Sequence, residues 1–309
     1  MRVGIVGTGF VGAAAAYAMT LRGSAAELVL TDVNADKARA EARDIQDATP
    51  FSHPLRVSAG DYASLDGCRV VVLTAGVNQK PGETRLQLLE RNARIFEEVV
   101  PQVVQAAPEA VLLVATNPVD VLTTLVERIA RLPEGRVIGS GTALDTARMR
   151  ALIAEKVGVD PGHVHGYVLG EHGDSEVLAW RSVDIAGLEV ARFCEMRGLS
   201  WGEVERAEID TRVRRAAYEI IAGKGATYYG IGTALARITE SIVRDQRAVL
   251  TVSSSLRPGG TRGEVAYSLP RLVGGAGILA TLETPLDPRE QQALAASEAV
   301  IAEAAAGLK

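Results

Sequence analysis

The stretch from Met1 to Asp32 narrows the fold more than any other part of the chain. Arg2-Val3-Gly4-Ile5-Val6 reads as a buried strand and runs straight into Gly7-Thr8-Gly9-Phe10-Val11-Gly12. Gly12 to Leu21 then reads as a helix, and Glu27 to Thr31 (ELVLT) as a second strand with Asp32 at its end. A bare G-x-G-x-x-G carries little weight in a chain with 31 glycines. With a strand before it, a helix after it and an acid about 20 residues on, it becomes a dinucleotide-binding fingerprint. Gly7 permits the tight turn, Gly9 lets the backbone approach a pyrophosphate at the helix N-terminus, and Gly12 allows close helix–strand packing. Phe10 and Val11 complete the cofactor loop. Asp32 suits the ribose hydroxyls and repels a 2′-phosphate, so the expected cofactor is NAD rather than NADP.

The same alternation continues. Ala35 to Thr49 reads as a helix stopped by Pro50, Arg69 to Leu73 (RVVVL) as a third strand, Ala110 to Ala115 (AVLLVA) as a fourth and Arg136 to Gly139 as a fifth. Runs this apolar are buried on both faces, which is the habit of parallel sheets, and the intervening helices imply βαβ crossovers. Thr84 to Ala107 reads as a long helix that Pro101 is expected to kink or split. After Gly139 the pattern changes: a helix from Asp145 to Lys156, a strand from Val164 to Leu169, helices at Glu203–Gly223 and Thr227–Val243, a strand at Val249–Ser255, and an Ala-rich helix from Pro288 to Ala306. The fold class expected is α/β, a Rossmann-type doubly wound parallel sheet followed by a mixed α+β catalytic domain. For 309 residues two domains are expected, split into 1–139 and 140–309.

Composition excludes several classes. The formal charge is −5, from 33 basic and 38 acidic residues, and no basic run tracks a phosphate backbone, so nucleic acid is not an expected partner. Cys68 and Cys194 are far apart, which argues against a zinc site or a disulfide framework and for thiols kept reduced in a cytoplasm. Gly4, Gly7, Gly9 and Gly12 would cripple the N-terminal segment as the apolar helix of a signal peptide, and no stretch reaches a membrane span of about 18 apolar residues.

Two short segments carry chemistry. Gly170-Glu171-His172-Gly173-Asp174-Ser175 sets a histidine between glycines after a strand. Histidine titrates near neutrality, so it suits proton delivery when a carbonyl becomes an alcohol. Gly141-Thr142-Ala143-Leu144-Asp145-Thr146-Ala147-Arg148 places an acid and an arginine three apart on one side of a helix turn. Asp145 beside His172 would fix its tautomer and favour its charged form, and Arg148 offers a planar fork for a substrate carboxylate.

These segments, together with Asn117-Pro118-Val119-Asp120 and the loop Gly76-Val77-Asn78-Gln79-Lys80-Pro81-Gly82-Glu83-Thr84-Arg85, resemble the L-lactate/L-malate dehydrogenase family over nearly the whole chain. The loop is similar to that of bacterial lactate-specific members. The resemblance implies hydride transfer between NADH and a 2-oxo acid, with His172 as acid/base, Asp145 orienting it, Arg148 binding the carboxylate and Arg85 polarising the carbonyl from a mobile loop. It further implies that Asn117 bonds near the nicotinamide and the carbonyl, that Thr227 lines the pocket, and that Ile231 packs on the nicotinamide. Read alone, Arg85 is equally an ordinary helix-face cation, Asn117 a turn residue and Ile231 plain core.

In malate-specific members an arginine stands where this chain has Gln79, so pyruvate/L-lactate is the expected substrate pair and malate the alternative; Lys80 next to it is the feature that keeps malate open. A dinucleotide-sensing protein without catalysis would be expected to have lost His172, Asp145 or Arg148, and all three are present. The resemblance also implies that Arg150 and His165 bind fructose 1,6-bisphosphate at a subunit interface, and therefore a homo-oligomer, a tetramer.

Overall fold

The computed structural model describes residues 1–77 and 84–308, and of Arg85 the backbone alone. In the first half β1 (Arg2–Val6), α1 (Phe10–Arg22), β2 (Glu27–Thr31), α2 (Ala35–Ala48), β3 (Arg56–Ala59), β4 (Cys68–Leu73), α3 (Arg85–Ala106), β5 (Val111–Val114), α4 (Val119–Ala130) and β6 (Val137–Gly139) follow one another. In the second half come α5 (Ala143–Val157), β7 (Val164–His165), β8 (Val168–Leu169), β9 (Val177–Leu178), β10 (Asp184–Ile185), β11 (Leu188–Glu189), α6 (Val190–Met196), α7 (Glu203–Lys224), α8 (Tyr229–Val243), β12 (Ala248–Leu256), β13 (Arg262–Gly274), β14 (Gly277–Thr281) and α9 (Pro288–Ala306).

β1 to β6 form a parallel sheet, in the order β6-β5-β4-β1-β2-β3; five of these strands were expected, and β3 adds a sixth at the edge beside β2. Their apolar runs are two-faced. Val70 and Val72 join one core with Ala15, Ala16 and Met19 of α1 and with Leu235 and Ile238 of α8. Val71 and Leu73, one residue out of step, join the opposite core with Phe96 and Val103 of α3 and Leu122 and Val126 of α4. A period of two thus places helices on both faces, and the carboxyl ends of the strands are left to line a crevice.

The structure departs from the sequence expectation at several places. α3 runs through Pro101 unbroken. Pro101 and Glu97 are both exposed, so the carbonyl that proline leaves without a helical partner faces water, while Val100 and Val103 stay packed. The stretch Val164–Leu169 is two short strands in different sheets, separated at Gly166 and Tyr167. β12, β13 and β14 do not form a sheet of their own. They extend the parallel sheet as antiparallel strands, joined to β6 through the pair Ser253 and Gly139.

β13 is a long inner strand that contains Pro270 and a fully buried arginine, Arg271. The Arg271 guanidinium donates to the carbonyls of Val252 (3.0 Å), Leu256 (2.7 Å), Ser254 (2.8 Å) and Tyr267 (3.1 Å) and to Thr281 Oγ1 (2.5 Å). These acceptors surround the register shift between Ser254 and Leu256, where the β12–β13 ladder is interrupted. Burial pushes the Arg271 side chain down to about 9, so it stays charged at neutral pH. Arg271→Met should leave several buried carbonyls without donors and lower the unfolding free energy by on the order of 3 kcal/mol. Denaturant unfolding checks this; a midpoint equal to the parent's refutes it.

Candidate active site

The crevice opens between β1 and β4, where the strand order reverses. Gly7 has φ 98° and its N–H donates to Thr31 O (2.8 Å). A Cβ on Gly12 would lie 1.9 Å from Gly7 O, so this helix can sit on this turn only with glycine there. A Cβ on Gly9 would meet nothing within 4 Å, which leaves open space over the first turn of α1. Asp32 Oδ2 accepts from Thr8 N (2.6 Å) and Thr8 Oγ1 (2.9 Å), and Oδ1 accepts from Asn34 N (2.9 Å). Burial works to raise Asp32, but these donors outweigh it and hold the carboxyl below the usual range. Each carboxylate oxygen retains acceptor capacity. Open space at a helix N-terminus beside an ionised acid fits a dinucleotide with free ribose hydroxyls.

The far wall comes from the second half. A Cβ on Gly232 would lie 2.8 Å from Ala14 C and 3.0 Å from Ala14 Cβ, so α8 touches α1 at this glycine. The contact brings the loop before α8 against the start of α1, where Phe10 stacks on Tyr228 at 5.3 Å. Val11 and Ile231 are half-buried against the same core, and Thr227 is half-buried in that loop. Asn117 is exposed at the end of β5, and the Asn117–Pro118 peptide bond is cis. Buried Asn92 donates from Nδ2 to Asn117 O (3.1 Å) and accepts from Val77 N at Oδ1 (2.9 Å), tying the two loops together.

The histidine segment is held on several sides. Gly170 is in the left-handed region at φ 85° and pairs with Ser268 of β13. Glu171 N donates to Ser297 Oγ of α9 (2.8 Å), and His172 N donates to Asp120 Oδ2 of α4 (2.7 Å). The ring follows: His172 Nδ1 is 2.6 Å from Asp145 Oδ2, and Arg148 donates to Asp145 Oδ1 (2.7 Å). Asp145 is 2% exposed in the first turn of α5, where the helix dipole favours a negative charge. Burial works against its ionisation, but the His172 and Arg148 charges and hydrogen bonds prevail and lower it. The Asp145 carboxylate in turn raises His172 to about 9, against desolvation of the ring. With Nδ1–H held by the carboxylate, Nε2 is free to give or take a proton. Arg148 stands beside it as a fixed, planar anion binder.

Sequence reasoning brought His172, Asp145 and Arg148 together, and the structure does so. Gln79, Lys80 and the Arg85 side chain lie outside the described residues. Arg150 points elsewhere: two positions from Arg148, it takes another side of α5. Its Nε donates to Gly166 O (3.0 Å) and its guanidinium lies over the Tyr167 ring at 5.4 Å, beside exposed His165 on β7.

Two buried acids were missed. Asp120, 2% exposed, holds the His172 backbone, and burial raises it to about 6. Glu176, 4% exposed, lies beside the ring. The signal for Asp120 was its place after Asn-Pro at a helix start; for Glu176 it was an acid directly before the apolar pair Val177-Leu178. Asp145, His172 and Glu176 are grouped tightly enough to suggest a cation site. Arg148 and the histidine proton already balance Asp145, so the cluster is explained without a metal.

Comparison with known proteins agrees with this geometry. Residues 1–139 match the family model of the lactate/malate dehydrogenase NAD binding domain, and residues 142–306 match that of the lactate/malate dehydrogenase alpha/beta C-terminal domain. An L-lactate dehydrogenase of Deinococcus radiodurans is 58% identical over 301 residues, 97% of each chain. One from Chloroherpeton thalassium is 56% identical over 304 residues, 98% of each chain. Among solved structures, the minor L-lactate dehydrogenase of Enterococcus mundtii superposes with a TM-score of 0.95 at 41% identity, covering 100% of this chain and 98% of that one. With two family matches that together cover nearly the whole chain and relatives above half identity along it, the chain belongs to the lactate/malate dehydrogenase family.

Proposed function

We propose that the protein is an NAD-dependent L-lactate dehydrogenase that interconverts pyruvate and L-lactate. Residues 1–139 act as the cofactor domain and 140–309 as the substrate and catalytic domain. The observation that carries this reading is the His172–Asp145–Arg148 group in a chain whose first half is built to hold a dinucleotide. Bound NADH supplies the hydride. Arg148 anchors the substrate carboxylate bidentately and so orients the neighbouring ketone. As the ketone carbon takes the hydride, its oxygen takes the proton from His172 Nε2, leaving neutral imidazole and L-lactate. Asp145 keeps the ring in one tautomer throughout and stabilises its charged form. In the reverse direction neutral His172 removes the hydroxyl proton.

Asn117 and Arg85 are assigned to the carbonyl, Thr227 to the substrate methyl, and Ile231, Phe10, Val11 and the three glycines to the cofactor. Reduction needs protonated His172, so its rate should hold through neutral pH and fall as pH rises through about 9. Parallel assays of NADH oxidation with pyruvate and with oxaloacetate test the assignment. Pyruvate should be preferred by orders of magnitude, and a preference for oxaloacetate would refute it.

Gln79 is assigned as the selector. It is neutral, and an unpaired second carboxylate enclosed in a water-poor site is disfavoured by several kcal/mol. Gln79→Arg should shift the ratio of kcat/KM toward oxaloacetate; an unchanged ratio means that another residue selects.

The effector site rests on Arg150 and His165, and the support is physical. Arg150 is a half-buried cation whose charge is disfavoured by burial, and His165 is exposed on the adjoining strand. A sugar bisphosphate would compensate the Arg150 charge and accept a hydrogen bond from His165, and a site shared at a two-fold interface requires a homo-oligomer, which we take to be a tetramer. Pyruvate saturation curves should become steeper at low substrate with fructose 1,6-bisphosphate; superimposable curves remove the site. Among the described residues no helix is long and apolar enough to cross a membrane, and both cysteines are free and buried, which supports a reducing, cytoplasmic setting.

A further inference from the structure

Glu176 lies against the proton-transfer pair without a part in the chemistry above. It closes the turn that carries His172 back to β9, its N–H donating to Gly173 O (3.2 Å). The side chain is buried, and Oε1 has no hydrogen-bond partner among the described residues. Single ligand atoms of Asp145, His172 and Glu176 all lie within 4.8 Å of one another. Two buried carboxylates that close disfavour double ionisation. The charged groups facing Glu176 are Asp145 and Arg148 from α5, His172 from its own loop and Arg214 from α7. Arg148 is engaged by Asp145. Arg214 is engaged by Asp210 (2.6 Å) and by the carbonyl of Asp174 (2.8 Å). Asp120 from α4 also acts on His172 and holds its backbone.

We propose that Glu176 is a positioning residue for proton transfer, a carboxyl that titrates together with His172 and sets the pH at which His172 loses its proton. The proposal rests on His172 being the proton donor. Burial and then the Asp145 charge push Glu176 up to about 8, against the pull of His172, Arg214 and Arg148. Below that pH the carboxyl is neutral, and its proton avoids a clash of charges with Asp145. Above it, Glu176 ionises and adds negative charge beside the imidazolium, which then keeps its proton to higher pH. Glu176 therefore extends the working range of the reduction on its alkaline side.

The test is the pH profile of kcat/KM for pyruvate reduction in the full-length enzyme, for the parent, Glu176→Gln and Glu176→Asp. With glutamine the alkaline limb should move down by about half a unit to one unit, so the variant loses about two- to fivefold more than the parent between about pH 7 and about pH 9. Glu176→Asp, which restores an ionisable group, should recover part of that difference. A uniform loss at every pH, or an alkaline limb left in place, overturns the proposal.

Infrared spectra of the parent enzyme carrying ¹³C-carboxyl glutamate give a reading that needs no variant. A protonated, isotope-shifted carboxyl band present at neutral pH and lost above about pH 8 is expected. Its absence at neutral pH overturns the proposal. Failure of the underlying assignment looks different: a His172→Asn variant would reduce pyruvate at the parent's rate.

Discussion

A carboxylate stripped of water must find its compensation in the protein, and Asp145 is such a group at the centre of this molecule. An uncompensated buried charge is destabilising by several kcal/mol. Asp145 meets that demand with the start of α5, the Arg148 guanidinium at 2.7 Å and the His172 ring at 2.6 Å. Each compensating group is thereby held in one orientation. The arginine becomes a rigid fork instead of a solvated side chain, and the imidazole becomes a ring with one committed nitrogen and one available nitrogen. The electrostatic need of the fold and the geometric need of proton transfer are met by the same hydrogen bonds.

The segment bearing His172 also joins the two halves of the chain. Its backbone is held by Asp120 at the start of α4, in the first half, and by Ser297 on α9 and Ser268 on β13, in the second. The cofactor crevice shows the same division. Its floor is the Gly7–Gly12 turn, and its far wall reaches α1 only because Gly232 lets α8 touch Ala14. The antiparallel strands β12 to β14 continue the parallel sheet instead of forming a separate layer, and the His172 segment is bridged to that sheet through Gly170 and Ser268. The buried guanidinium of Arg271 takes over hydrogen bonding where that continuation loses its register.

What was legible in the sequence was local. The strand–turn–helix of Arg2 to Arg22, the second strand and Asp32 lie within one βαβ span, where period, glycine and acid all agree, and the structure has β2 at the residues read. Asp145 and Arg148 were legible because a helix turn brings them together, and His172 because glycines flank it. β13 was not legible. Pro270 and Arg271 in its middle contradict the pattern of an inner strand, and their reasons lie across the sheet in the carbonyls of β12. The helix from Val119 to Ala130 carries an apolar face in Val119, Leu122 and Val126, yet Asn117-Pro118 drew the reading toward a turn. Asp120 and Glu176 owe their roles to burial and to partners far along the chain, and no spacing rule contains that information.

The placement of these two acids shows how such a site tolerates dense charge. Asp120, Asp145 and Glu176 surround one imidazole, and their surroundings separate their proton affinities. Asp145 has two cationic partners and is lowered. Asp120 accepts the His172 backbone N–H with one oxygen, and burial outweighs its hydrogen bonds and raises it to about 6. Glu176 is buried beside the Asp145 carboxylate, with one oxygen unpartnered among the described residues, and it rises to about 8. Near neutral pH the three therefore differ in protonation: Asp145 ionised, Asp120 largely ionised, Glu176 largely protonated. The imidazolium faces a graded field instead of three full negative charges. Its proton is held firmly by one carboxylate and conditionally by the others, which keeps it transferable while the site as a whole stays folded.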